Sequence, residues 1–471
     1  MKTPLRSVLV LSVFILSAGI NFLPAQSATK LSLPDAIKTG LQNYQSILAK
    51  RNYVKASAAL VQNTKNEYLP NVIGSIQQDY GTINGQLGPL APAGAPGVSS
   101  SGAPYPSQSW NAAFGANYVI NTNWEFFTFG RLTSKIKLSQ AQVNKDSADL
   151  AQEEFIQSVK ITSAYLNLLA AQRLILNAEA NLTRTSFVQQ VVFARTKSGL
   201  NAGVDSSIAN AQVSAARLSL INANDYEQQI RNQLAQLLNT DPASQFILDT
   251  SFFAAVPSQL NTTADLAQNP QVKYYQSRID QSNTAVTYLK KSILPGLNLF
   301  GIYQARGSGF DYNYTPDFSD RYSKGYFTGV NPTRSNYVAG VAIAWNVFSI
   351  PKIKEQVNAQ KFITRAYQDE FNLVSSQLKA QLVLADQRIA NSLQSFKEVP
   401  VQYKAASDAY VQKSVLYKNG LTDIVDVQQA LYALNKAETD VSISYINVWQ
   451  ALLLKSAASG DFDLFLNQVN K

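Results

Sequence analysis

Two aspartates recur at matched places in this chain, and the residues that usually join carboxylates in catalysis are missing. Asp205 closes the run Lys197-Ser-Gly199-Leu200-Asn-Ala-Gly-Val204, and Asp426 closes Lys418-Asn-Gly420-Leu421-Thr-Asp-Ile-Val425. The sequence holds no His and no Cys. That removes the commonest general base and metal ligand, along with thiol catalysis, disulfides and thiolate metal sites. No catalytic residue, cofactor site or metal site is therefore expected. An Asp just after a Gly turn has two uses. It can favour the start of a helix. If copies of the chain gather round an axis, it can form a ring that attracts cations and raises its own pKa by mutual repulsion. Both uses stay open.

The elements that position these aspartates are written twice. Trp124-Glu-Phe-Phe127-Thr-Phe-Gly-Arg131 pairs with Trp345-Asn-Val-Phe348-Ser-Ile-Pro-Lys352, 221 positions on, and Lys197 pairs with Lys418 at the same offset. Upstream, Tyr68-Leu69-Pro70 and Ile293-Leu294-Pro295 stop a helix in each copy, because Pro pushes its predecessor out of helical geometry. The expected organisation is a signal peptide over 1–28, a first repeat over 29–250 and a second over 251–471. Each repeat reads helix, hairpin, long helix, turn, helix. Helices are expected over 35–67, 131–197 and 204–239, then over 264–293, 352–418 and 424–456. The hairpins span about 71–124 and 296–348. The first has a Gly-, Pro- and Ser-rich loop over 81–106. The second has an aromatic one with Tyr312, Tyr314, Tyr322, Tyr326 and Phe327. Segments 240–263 and 457–471 read as irregular.

The helices are too long and too striped for isolated use. Ile424, Val427, Leu431, Leu434, Val441, Tyr445, Val448 and Leu452 alternate three and four apart, and only Glu438 interrupts them. In 131–197 the heptad run Ile136, Val143, Leu150 steps by eleven to Ile161, then continues through Leu168, Ile175 and Leu182. Such a stutter locally unwinds a left-handed supercoil. A helix of that span is roughly 100 Å long at about 1.5 Å per residue. The two shorter helices of the repeat, laid end to end, match it, as a wall of uniform height requires.

The strands alternate. Trp110, Ala112, Phe114, Ala116, Tyr118 and Ile120 oppose Asn111, Ala113, Gly115 and Asn117, while Tyr337, Ala339, Val341, Ile343, Trp345 and Val347 oppose Gly340, Ala342, Ala344 and Asn346. Apolar on one face and small or polar on the other is the membrane-barrel pattern, and Trp124 and Trp345 stand where interfacial aromatics belong. Four strands cannot close a barrel, and an open edge in hydrocarbon leaves costly unpaired backbone groups. Several chains must therefore associate. Two or three copies both satisfy that need.

Lys2 and Arg6, the apolar run Val8–Ile20 and the small residues before Ala28 read as a secretory leader, too short for a span of about 20 apolar residues. The formal charge of +9 is scattered rather than patched, so no nucleic acid is expected.

The duplicated half, the Leu-Pro junctions and the twice-written Gly-Leu-x-x-x-Val-Asp turn together resemble the TolC-like outer-membrane efflux family. The resemblance implies a mainly α fold with β. It implies a homotrimer with a helical α-barrel and a twelve-stranded transmembrane β-barrel, four strands from each chain. It further implies an outer-membrane location reaching into the periplasm, and a passive duct for efflux or type I secretion. The implied partners are a periplasmic adaptor, an inner-membrane pump or ABC exporter, and outer-membrane lipid. By the same resemblance, Asp426, Asp205 and Tyr417 line the periplasmic aperture, and Gly199, Leu200, Gly420 and Leu421 face the adaptor. Gln429 and Thr422 depart from the family pattern at the closed tip. A passive porin would need many more strands than the chain carries. A structural or adhesive coiled-coil protein would have no use for the hairpins.

Overall fold

The computed structural model describes residues 29–85, 104–257 and 265–469. The signal peptide expected over 1–28 and residues 86–103 of the first loop lie outside the described residues. A short strand β1 (Thr29–Leu31) precedes α1 (Leu33–Asn43) and α2 (Gln45–Asn66). Strands β2 (Asn71–Thr82) and β3 (Ala112–Phe127) form the first hairpin, followed by α3 (Arg131–Lys197) and α4 (Gly203–Leu238). Strand β4 (Phe246–Leu248) leads towards the second repeat: α5 (Pro270–Lys291), β5 (Gly296–Ser308), α6 (Tyr326–Val330), β6 (Arg334–Ala344), α7 (Ile350–Lys418) and α8 (Ile424–Ser459). Helix α9 (Asp463–Val469) is the last element described.

Several boundaries differ from the sequence reading, and the stretch expected to be irregular over 457–471 holds the end of α8 and α9. The helix expected over 35–67 is two helices, because Tyr44 takes an extended conformation (φ −67°, ψ 122°) between them. Asn43 and Tyr44 are weak helix formers, and an apolar stripe is blind to a one-residue break. The helix expected from 264 begins at Pro270. Asn269 caps it by accepting from the Gln271 N–H at 2.8 Å, and Pro suits the first helical position. The last strand stops at Ala344, and a 3₁₀ turn over Val347–Ser349 carries the chain into α7.

The chain packs as two compact units, each drawing on both repeats. One takes Met1–Leu41, Lys160–Val256 and Leu393–Gln450. Here β1 pairs in parallel with β4, so the stretch expected to be irregular contributes a strand. Tyr165 locks the pair: its buried hydroxyl donates to the Leu31 carbonyl and accepts from the Asp249 N–H, each at 2.9 Å. Burial pushes that phenol up to about 12. The stripe on α8 is buried as expected, with Ile424, Val427, Leu431 and Leu434 all in the core. Glu438, its single break, meets Arg184 of α3 through both carboxylate oxygens. A bidentate pair of this kind satisfies the charge that would otherwise be stranded in an apolar seam.

The other unit takes Gln42–Val159, Pro257–Ser392 and Ala451–Lys471. Helix α2 runs antiparallel to the start of α3, with Lys50 on Asp149 at 2.7 Å and Thr64 on Ser139 at 3.0 Å. In the same way α5 lies along the start of α7, where Ser282 meets Thr364 at 2.8 Å and Val286, Ile353 and Val357 share a core. The four long strands form one antiparallel sheet in the order β2-β3-β5-β6. The second repeat's hairpin thus adds to the edge of the first.

The register fixes the two faces. Ile76 sits opposite Tyr118, Tyr118 opposite Ala305, Ile120 opposite Tyr303, Tyr303 opposite Tyr337 and Leu299 opposite Val341. Directly paired residues project to the same side, so these side chains make one continuous apolar face. Gln77, Asn117, Arg306 and Arg334 pair along the other. Away from the segment that joins β5 to β6, the apolar face is bare, with Ile76 74 % and Ile343 72 % exposed.

Candidate functional site

The turn between α3 and α4 and the turn between α7 and α8 are built alike. Gly199 (φ +74°) and Gly420 (φ +75°) adopt the left-handed conformation that ends a helix cheaply only with Gly. The next amide reaches back to close each helix: Leu200 N–H donates to the Arg195 carbonyl and Leu421 N–H to the Leu416 carbonyl, both at 2.9 Å. Such a closure usually tucks the following apolar residue against the helix. Here Leu200 and Leu421 stay 69 % and 72 % exposed, and Val204 and Val425 beside them are exposed too.

Each aspartate is braced by the residue four before it. Asn201 Nδ2 donates to Asp205 Oδ2 at 2.7 Å, and Thr422 Oγ1 donates to Asp426 Oδ2. Asn201 and Thr422 stand at the repeat offset, so the brace is part of the duplicated plan. The surroundings then diverge. Asp426 also takes Lys413 Nζ at 2.6 Å. The Lys413 ammonium and the Thr422 hydroxyl hold its carboxyl below the usual carboxylate range. It is not the cap of α8; Asp423 fills that role by accepting from the Asp426 N–H at 3.0 Å.

Asp205 belongs to a network that ties the two turns together. The Asn201 amide that holds it also donates to the Tyr417 hydroxyl at 3.0 Å. Arg195 supplies the rest: its Nε donates to Asn201 Oδ1, its Nη1 donates to the Lys418 carbonyl, both at 2.8 Å, and its guanidinium lies 5.4 Å from the centre of the Tyr417 ring. Tyr417 is buried with Val188, Val192, Ala209, Ile424 and Val427. Burial and the nearby Asp205 charge raise its phenol, against the opposing pull of Arg195 and Asn201. Tyr417 and Asp205 therefore meet through Asn201, while Asp426 stands in a separate Lys413 pair. Sequence reasoning missed Arg195, Asn201 and Lys413. The Asn201–Thr422 correspondence was visible at the repeat offset. The Arg195 contact was not, since its duplicate position holds Leu416.

Trp124 and Trp345 sit at the strand–helix junctions. Each indole N–H donates to the carbonyl two residues before the junction proline: Trp124 to Tyr68 at 2.7 Å and Trp345 to Ile293 at 2.9 Å. These are carbonyls that the terminating helix leaves without an amide partner. Both rings remain part exposed. Each Trp therefore clamps a helix end while presenting its ring outward.

Among the described residues no acidic or other cluster could hold a metal ion, and no helix is long and apolar enough to cross a membrane. Neither statement bears on the sheet.

A model of the family "Outer membrane efflux protein" matches residues 36–240. No curated protein matches the sequence. Among solved structures, the outer-membrane channel OprN is similar with a TM-score of 0.71 and 18 % identity, over 91 % of this chain and 90 % of that one. The Campylobacter jejuni CmeC outer membrane channel gives 0.72 and 13 %, over 91 % and 85 %. The Vibrio cholerae outer membrane protein VceC gives 0.71 and 13 %, over 91 % and 96 %. At these identities the structural likeness speaks for the fold, which runs through both repeats, while the family match lies on the first. Residues 36–240 are thus similar to the outer membrane efflux protein family, and the described chain has the fold of outer-membrane channels.

Proposed function

We propose that this chain is the outer-membrane duct of a tripartite efflux or type I secretion system, working as a homotrimer. The observation that carries the reading is the four-stranded sheet, apolar on one face and polar on the other, with β2 and β6 left as free edges. Water-free surroundings forbid such edges. Joining β6 of one copy to β2 of the next, three times over, closes twelve strands with the polar face inward. The helices have the same need. Leu218, Ile221, Phe362, Leu373 and Val383 are each more than half exposed in one copy, and neighbours in a helical barrel cover such positions.

The duct is passive and is not an enzyme; an inner-membrane pump supplies the energy, as throughout the family. The exposed apolar tips at Leu200, Val204, Leu421 and Val425 suit a periplasmic adaptor. Asp426 is carried as an aperture residue with its charge balanced by Lys413, and Asp205 and Tyr417 serve the join between the turns. Trp124 and Trp345 serve as the inner aromatic girdle as well as helix clamps. Outer-membrane extraction and planar bilayers test the reading. Detergent-purified protein of three copies that forms discrete ion-conducting steps is expected. Protein that stays soluble and single without detergent, with no conductance, rules it out.

A further inference from the structure

The aromatic loop of the second repeat folds back onto the sheet, on the same side as the bare apolar face. Three contacts place it there. The Tyr326 ring meets Phe114 edge-on at 5.2 Å, and Phe114 lies against Tyr80 at 4.7 Å. The Tyr326 hydroxyl donates to Gln78 Oε1 at 2.9 Å. The Tyr118 hydroxyl donates to the Val330 carbonyl at 3.1 Å. Phe114, Tyr80, Gln78 and Tyr118 all belong to the face that carries Ile76, Ile120 and Tyr303. Helix α6 also fits closely, since any side chain at Gly329 would run into the Phe114 backbone. The loop leading to it is tied down by Ser323 N–H on the Gly309 carbonyl at 2.7 Å, and by Asn111 Nδ2 on the Ser319 carbonyl at 2.9 Å.

This element lies at the far end of the apolar face from the Trp clamps. Phe114 and Trp124 are ten residues apart on β3. Ten residues advance about 33 Å along a strand at about 3.3 Å each. A tilt of about 40° leaves roughly 25 Å along the membrane normal, the height of the apolar band of a membrane barrel. Trp124 and Trp345 mark one boundary of that band; α6 marks the other. Phe327 is 73 % exposed there and Tyr326 44 %. Aromatic rings with a polar handle settle where headgroups meet acyl chains.

We propose that α6 is an outer-leaflet anchor whose partner is the lipid surface: Tyr326 and Phe327 seat against lipid at the headgroup boundary and set the depth of the barrel. The proposal rests on the reading of the apolar face as lipid-facing, and the experiment separates the two. The natural chain has no Cys, so single-cysteine variants carry a nitroxide at one place only. Ile76→Cys reports the middle of the apolar face, Asn121→Cys the polar face and Phe327→Cys the anchor. The labelled protein is reconstituted in vesicles of palmitoyl-oleoyl phosphatidylcholine and phosphatidylglycerol, and each label's accessibility to oxygen and to a water-soluble nickel chelate is measured. The proposal expects Ile76→Cys to favour oxygen and Asn121→Cys to favour nickel. Phe327→Cys should favour oxygen at a shallower depth than Ile76→Cys. A nickel-dominated Phe327 label beside an oxygen-dominated Ile76 label overturns the anchor and leaves the channel reading intact. A Phe327 label shielded from both reagents assigns α6 to a neighbouring copy and also overturns it. A nickel-dominated Ile76 label removes the lipid-facing face itself, and the anchor with it.

Discussion

Replacing Arg195 by Ala should loosen the join between the α3–α4 turn and the α7–α8 turn while leaving each helix intact. Arg195 makes two charged-donor hydrogen bonds, to Asn201 Oδ1 and the Lys418 carbonyl, and stacks over Tyr417. Because the side chain is partly exposed, solvent screening brings each bond to about 1 kcal/mol, below the roughly 1.5 kcal/mol at which buried charged bonds begin. The ring contact adds about 0.5–1 kcal/mol. The sum, about 2.5–3 kcal/mol, corresponds to roughly 70- to 150-fold in the equilibrium between joined and parted turns. Hydrogen exchange at the amides of the 195–205 and 416–426 segments reads that equilibrium directly, and single-channel conductance reads its effect on the aperture. Arg195→Lys should recover little, because an ammonium cannot bridge Asn201 and Lys418 as the guanidinium fork does. Pairing Arg195→Ala with Asn201→Ala tests the network as a unit, and a coupling of at least about 0.5 kcal/mol is expected for residues in contact. Unchanged exchange in Arg195→Ala refutes the claim that Arg195 ties the turns, and strict additivity with Asn201→Ala refutes the network as a unit.

Trp124→Phe and Trp345→Phe each strip a helix-end carbonyl of its donor, so each should cost about 1 kcal/mol and lower the melting temperature of the detergent-solubilised protein. Leu421→Glu should leave the fold and conductance unchanged, since the side chain is exposed, and under the proposed adaptor contact it should abolish crosslinking to an adaptor in cells. Asp426 has a depressed folded pKa, so its pairing with Lys413 is complete above about pH 4 and is lost as pH falls through the depressed value. Conductance should therefore show no carboxylate titration between pH 5 and 8, and Lys413→Ala should move the acid limb upward. A midpoint inside that window in the natural protein would mean that repulsion between Asp426 carboxylates of neighbouring copies outweighs Lys413.

Much of the fold could be read from the residues because the duplication supplied its own check. The ends of α3 and α7 at Lys197 and Lys418 fell where expected, since a Gly two residues later can do little but stop a helix there. The faces of the sheet followed from strict alternation, which the observed register preserves across all four strands up to a bulge between Glu125 and Phe127 on β3. What escaped depends on contacts between distant positions. Arg195 reaches a carbonyl 223 positions away, and Lys413 meets Asp426 only because the turn at Gly420 folds α7 against α8. The clamping by Trp124 and Trp345 joins a strand to a helix end some fifty residues earlier, so each Trp read only as an interfacial ring. Helix α6, at five residues, is too short to leave a period in the sequence.

The central claim is that copies of this chain complete one another's sheet, and strand-edge crosslinking tests it most directly. A cysteine at Gln77 on β2 is combined in turn with one at Asn336, Val338 or Gly340 on β6, which project to the same face. Oxidation in native outer membranes should, in one register, give a denaturant-resistant ladder that stops at three copies. A ladder that stops at two, or bonds formed only within single chains, would contradict a barrel closed by three.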